Sequence, residues 1–115
     1  MPGEIPSLFS EIKKSTYNFN VNQSFKLEKF GKVVVLNGYT ENIQMEAGVS
    51  ITIGTVPQDY LPTLTIRALC NVGIYAYELS DVAYINVSAV NGKINVLPPK
   101  TGTFVVYCSL SWMTD

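Results

Sequence analysis

From Phe25 to Trp112, apolar residues recur at every second position in short runs, and turn-forming residues separate those runs. A period of two puts alternate side chains on opposite faces of an extended backbone. Phe25 and Leu27 alternate with Lys26 and Glu28. Val49, Ile51 and Ile53 alternate with Ser50, Thr52 and Gly54, and Leu64, Ile66, Ala68 and Cys70 with Thr65 and Arg67. Further strand-like runs cover residues 72–79, 82–89, 93–97 and 104–112, and Val33 to Leu36 is apolar on both faces. The spacing predicts an all-β domain: an antiparallel β-sandwich or barrel of about eight strands, jelly-roll-like.

Turn chemistry refines this expectation. Asn91-Gly92 suits a two-residue type I′ turn, in which both central residues take positive φ. Folding there opposes Ala89 to Ile94, Val87 to Val96 and Ser88 to Asn95, so apolar meets apolar and polar meets polar. Gly31-Lys32 interrupts the pattern between two strands. Asn37-Gly38 is compatible with a hairpin turn or with a bulge inside a longer strand. Glu41 to Gly48 reads as a polar loop, and Pro57 to Pro62 as a turn segment.

Residues 1–23 differ from the rest. Pro2, Gly3 and Pro6 precede Ser7 to Lys14, where Ser7 is placed to cap a short helical turn and Leu8 to pack near Ile12. Such a helix is marginal unless something packs on it. We read residues 1–23 as an N-terminal connector or docking arm and residues 24–115 as a β-sandwich or barrel head domain. The start Met1-Pro2-Gly3-Glu4 lacks a basic region followed by an apolar run, and no stretch is apolar enough to span a bilayer as a helix. No membrane insertion is expected.

Two runs carry apolar residues on both faces. Phe104, Val106, Cys108, Leu110 and Trp112 form one face of the last run, and Val105 and Tyr107 thicken the other. Either such strands are covered twice within the chain or one face meets another subunit. Charged residues make up only 15% of the chain, against roughly 25% in an average protein. That deficit favours self-association, which is usually cyclic.

The composition removes several chemistries. Histidine is absent, so no Ser-His-Asp or Cys-His arrangement forms within one chain. No glycine loop joins strand to helix, so nothing cradles a phosphate, and calcium-loop spacing is missing. No cofactor, metal or catalytic residue is expected. Glu41 with Glu46, and Glu78 with Asp81, are the nearest carboxylate pairs, and solvated surface acids are the simpler reading of both. The net charge of −1 supplies no basic groove for nucleic acid. Cys70 and Cys108 sit in apolar runs and read as buried reduced thiols, with a single bridge as the alternative.

The aromatic residues are 7 Tyr, 5 Phe and 1 Trp. Tyrosine beside Asn or Asp offers a flat apolar ring with polar groups at its rim, the chemistry of sugar and protein recognition. Asp59 with Tyr60, and Asn71 with Tyr75 and Tyr77, are the candidate ligand-binding clusters. Trp112 shares its face with apolar neighbours and reads as core or interface.

Several of these segments resemble one family. Gly31 to Thr40 (GKVVVLNGYT) is similar to the opening strand of phage tail-fibre and baseplate receptor-binding head domains, as is Ala47 to Pro62 (AGVSITIGTVPQDYLP) to a later segment. The hairpin region Ile85 to Val96 and a final apolar strand ending at Trp112 also look alike. The resemblance covers residues 30–112. It implies a homotrimeric head at the tail tip of a virion, assembled in the bacterial cytoplasm. Such a head binds host cell-wall saccharide. Heads of that family follow a long fibrous stalk, whereas only about 23 residues precede this one, so it is read either as an excised head or as a separate small virion protein that docks onto other virion proteins through residues 1–23. The alternative is a structural baseplate or fibre protein with no receptor-binding role.

Overall fold

A computed structural model describes residues 14–18, 24–75 and 78–115. The described residues form an antiparallel all-β fold in which one sheet curls around a single core. The strands are β1 (Lys14–Asn18), β2 (Ser24–Phe30), β3 (Val33–Tyr39), β4 (Ile43–Met45), β5 (Ile51–Thr55), β6 (Ile66–Gly73), β7 (Asp81–Val87), β8 (Lys93–Leu97) and β9 (Gly102–Met113). Their order across the sheet is β1-β2-β3-β9-β6-β7-β8-β5, with β4 beside β9.

β9 joins the two halves. Residues 107–113 pair with β3, residues 105–107 with β6, and residues 102–104 with β4. β6 meets β9 over three residue pairs but β7 over seven, so the halves diverge and their inner faces close on each other. Phe25, Leu27, Val34 and Leu36 come from one half and Ile85, Val87, Ile94 and Val96 from the other, all fully buried. Burying each such side chain contributes roughly 1.5–3 kcal/mol, so the enclosed interior holds the curl. Thr40 bridges the gap between β3 and β4. Its N–H donates to the Val106 carbonyl at 2.9 Å, and its hydroxyl accepts the Val106 N–H at 3.0 Å. A side-chain oxygen thus replaces a carbonyl in the ladder, which explains a buried threonine at this point.

The double-faced strands find their cover partly within the chain. β9 is central, and Val105 on its outer side is buried. Tyr39 and Tyr107 pack against each other beyond it, ring centroids 5.1 Å apart and planes tilted by 45°.

Turn chemistry gave one correct boundary and one wrong register. Gly31-Lys32 is a two-residue hairpin turn closing on the Phe30–Val33 pair, with Gly31 at φ 61°. Asn37-Gly38 lies inside β3, where Gly38 pairs with Phe25 on one side and Cys108 on the other. At Asn91-Gly92 the expected pairing is displaced by two residues. Val87 opposes Ile94, Asn86 opposes Asn95 and Ile85 opposes Val96. Only Gly92 takes positive φ, so a type I′ turn cannot form. The Ser88 hydroxyl instead accepts the N–H groups of Val90 and Asn91, and Asn91 Oδ1 accepts the Lys93 N–H. These bonds stabilise a longer loop. A displacement of two preserves which face points inward, so Ile94 and Val96 remain in the core.

Residues 64–79 also differ from expectation. β6 runs without interruption through Asn71 to Gly73, and residues after it turn back through a Tyr75–Glu78 bridge. Gly73 permits this return: a Cβ there would lie 1.9 Å from the Glu78 carbonyl oxygen. Residues 14–18, within the segment read as a connector, pair along the whole of β2 except its first two residues. The helical turn expected over residues 7–14 lies outside the described residues save for Lys14.

Candidate functional site

The candidate residues separate into two distant groups. Tyr60 ends a short 3-10 turn, Gln58–Tyr60, that follows β5. Its ring is buried in the core, its hydroxyl donates to Ser15 Oγ at 2.7 Å, and its carbonyl accepts the Trp112 indole N–H at 2.8 Å. Tyr60 therefore serves as a plug across one end of the curled sheet and offers no ring to a ligand. Asp59 is exposed beside it, in a depression of about 420 Å³ that also includes Lys29, Gln58 and Thr63. The Asp59 backbone carbonyl accepts from Lys29 Nζ at 2.8 Å.

Asn71 and Tyr75 lie toward the other end. Thr63 bonds to Met113 while Gly73 pairs with Val105, and eight residues of extended β9 span about 26 Å. Asn71 is exposed on the outer face of β6, whereas half-exposed Tyr75 lies in the turn after it. Tyr77 lies outside the described residues.

The outer face around Asn71 carries the more informative arrangement. Residues facing outward on adjacent antiparallel strands line up in rows about 6.8 Å apart. One row runs Tyr39–Tyr107–Asn71–Val82, and the next runs Leu69–Tyr84–Leu97. A third runs Arg67–Asn86–Asn95–Thr52. Tyr84 is 66% exposed and Leu69 is 61% exposed, both in the middle of a sheet and away from any loop. Arg67, Leu69, Tyr84 and Asn86 line a shallow cavity of about 620 Å³. Beside it, Asn95 Nδ2 donates to Asn86 Oδ1 at 3.3 Å, and the Thr52 hydroxyl donates to Asn95 Oδ1 at 2.6 Å. This chain of bonds holds the amides in a fixed rank.

The cause is local sequence. In IRALCNVG and DVAYINV the inward phase supplies Cys70, Val72, Ala83, Ile85 and Val87, so Arg67, Leu69, Asn71, Val82, Tyr84 and Asn86 must face out. Leu69 and Tyr84 stand out because they break the outward polar phase set by Arg67, Asn71 and Asn86. That interruption is the signal the sequence holds for both. Tyr39 and Tyr107 were reachable only through the β3–β9 register.

Glu78 and Asp81 line a common cavity of about 320 Å³, where Lys100 Nζ lies 3.3 Å from Asp81. Among the described residues no group of three His, Cys, Asp or Glu side chains converges as a metal site. Cys70 and Cys108 are free and buried. Burial pushes the Cys70 thiol up to about 11 and the Cys108 thiol up to about 12, the latter helped by its neighbour Cys70. Thiols held this far toward the protonated form are poor nucleophiles.

The chain matches no known family model and no curated protein. What the outer face offers chemically is an exposed aromatic ring, flanked by two amides and a guanidinium, on a rigid sheet.

Proposed function

We propose that this domain is a phage virion adhesin head that binds host cell-surface saccharide, without catalysis, through the outer face of β6, β7 and β8. The observation that carries the reading is Tyr84. Its ring is two-thirds exposed at the centre of a sheet, with Leu69 across from it and Asn71 and Asn86 within a row on either side. A pyranose has apolar C–H faces and a rim of hydroxyls. A flat ring suits the former, and amide donors and acceptors suit the latter.

The resemblance of residues 30–112 to phage receptor-binding heads supports the setting and a homotrimer. Exposed Val33 and Met113 form an apolar pair on the outer face of β3 and β9, apart from Tyr84, which is consistent with that assembly. Single sites of low affinity would then act together on one particle.

The test is binding of the purified protein to bacterial cell-wall polysaccharides, wild type against Tyr84→Ala. Binding to a polysaccharide, lost in Tyr84→Ala with an unchanged circular dichroism spectrum, supports the reading. Absence of binding to any polysaccharide overturns it.

A further inference from the structure

The charge on this face is more specific than its shape. The outward positions of β6 are Arg67, Leu69, Asn71 and Gly73; those of β7 are Val82, Tyr84 and Asn86; those of β8 are Lys93, Asn95 and Leu97. These positions hold two cations and no carboxylate, in a chain whose net charge is −1. Arg67 is exposed, lines the cavity beside Tyr84, and makes no ion pair among the described residues. It pairs directly with Asn86, and Tyr84 is its diagonal neighbour across the β6–β7 ladder, about 7–8 Å away between backbones. Both side chains line the same cavity, so a ligand lying on the ring has the guanidinium beside it.

Opposite charges directly across a ladder stabilise a sheet. Here the nearest cross-strand partners are an amide and a phenol, and neither neutralises it. Lys93 adds a second positive charge on the same side of Asn86 and Asn95. A neutral sugar needs neither cation. A planar guanidinium fork matches the two oxygens of a carboxylate or phosphodiester.

We infer that the ligand of this face is an anionic saccharide, its negative charge received by Arg67 while a sugar ring lies on Tyr84. The inference rests on the saccharide reading above and adds the class of sugar. Arg67 supplies the charge-assisted bonds, the ring supplies apolar contact, and Lys93 raises the local potential.

The test uses four soluble probes on the intact protein: oligogalacturonate, its fully methyl-esterified form, a neutral galactose oligomer of equal length, and poly(glycerol phosphate). Titration calorimetry should show an acidic probe, carboxylate or phosphodiester, binding about tenfold or more tighter than the neutral ones. Arg67→Gln should abolish that preference, and Arg67→Lys should restore only part of it. Tightening should fall as salt rises from 50 to 500 mM. Equal affinity for acidic and neutral probes overturns the inference and leaves saccharide binding standing. Unchanged preference in Arg67→Gln also overturns it. Failure of all four probes, together with failure on cell-wall polysaccharide, overturns both. Arg67 is exposed, so its variants are expected to fold, and a melting curve for each checks this.

Discussion

The indole N–H of Trp112, near the end of β9, donates to the backbone carbonyl of Tyr60 at 2.8 Å, across 52 residues of chain. Both groups are buried, so neither has water as an alternative partner. The bond ties the turn that plugs one end of the sheet to the strand running through its middle.

Trp112→Phe keeps the apolar bulk and leaves the Tyr60 carbonyl without its donor. Loss of about 1–3 kcal/mol is expected in urea unfolding, with the m-value unchanged. Trp112→Ala adds a cavity and should cost about 3–5 kcal/mol.

Tyr60→Phe tests the other side of the plug. It removes the 2.7 Å bond to Ser15 and no apolar area. Global stability should fall by roughly 0.5–1.5 kcal/mol. Amide exchange should accelerate chiefly in residues 14–18, because β1 is held by β2 on one side and by this contact. Uniform acceleration across the sheet would contradict a local role.

Two glycines in turns should respond unequally to alanine. Gly31 has open space around its missing side chain, so Gly31→Ala meets only backbone strain, about 1–2 kcal/mol. At Gly92 a Cβ would lie 2.4 Å from the Val56 carbonyl oxygen, and the Gly92 carbonyl itself accepts the Val56 N–H at 2.8 Å. Gly92→Ala should therefore be the more damaging by thermal melting, and equal losses would argue against the tight approach of the two segments.

Alkaline pH should weaken the fold through its thiols. Both cysteines ionise at 9.0 in the open chain and are pushed up to about 11 and about 12 by burial. A group whose folded value is raised contributes its full stability below the unfolded value and loses it as pH rises toward the folded one. Stability should decline from about pH 9 upward. Cys70→Ala with Cys108→Ala should lower stability at neutral pH and flatten that alkaline decline relative to wild type. Thiol reagents should label either residue only as fast as the protein opens.

The all-β class was legible because inward residues such as Phe25, Leu27, Ile85 and Val87 keep strict alternation, and burial of one face enforces it. Trp112 was legible as core or interface for the same reason, and the structure puts it in the core. The β7–β8 register was not, because the choice between loops was decided by Ser88 and Asn91 side chains bonding to the backbone. Pairwise turn preference does not contain that competition. Tyr60 was misjudged since a tyrosine next to Asp59 looks alike whether its ring points in or out. Its partner Ser15 lies 45 residues away. Tyr84 and Leu69 share a row only once β6 and β7 are aligned, so the candidate face had no compact motif to find.

β9 has a further consequence for how the molecule is made. Among the described residues, those of 14–45 and those of 51–97 have no backbone ladder between them except through this strand. Both stretches must leave the ribosome and wait, with their inner faces wet, until residues 102–113 follow. Hairpins such as β2–β3 and β7–β8 can form early, but the seam between the halves is sealed last. A nascent chain stalled before Gly102 would expose two half-cores at once, and such chains are the ones chaperones hold.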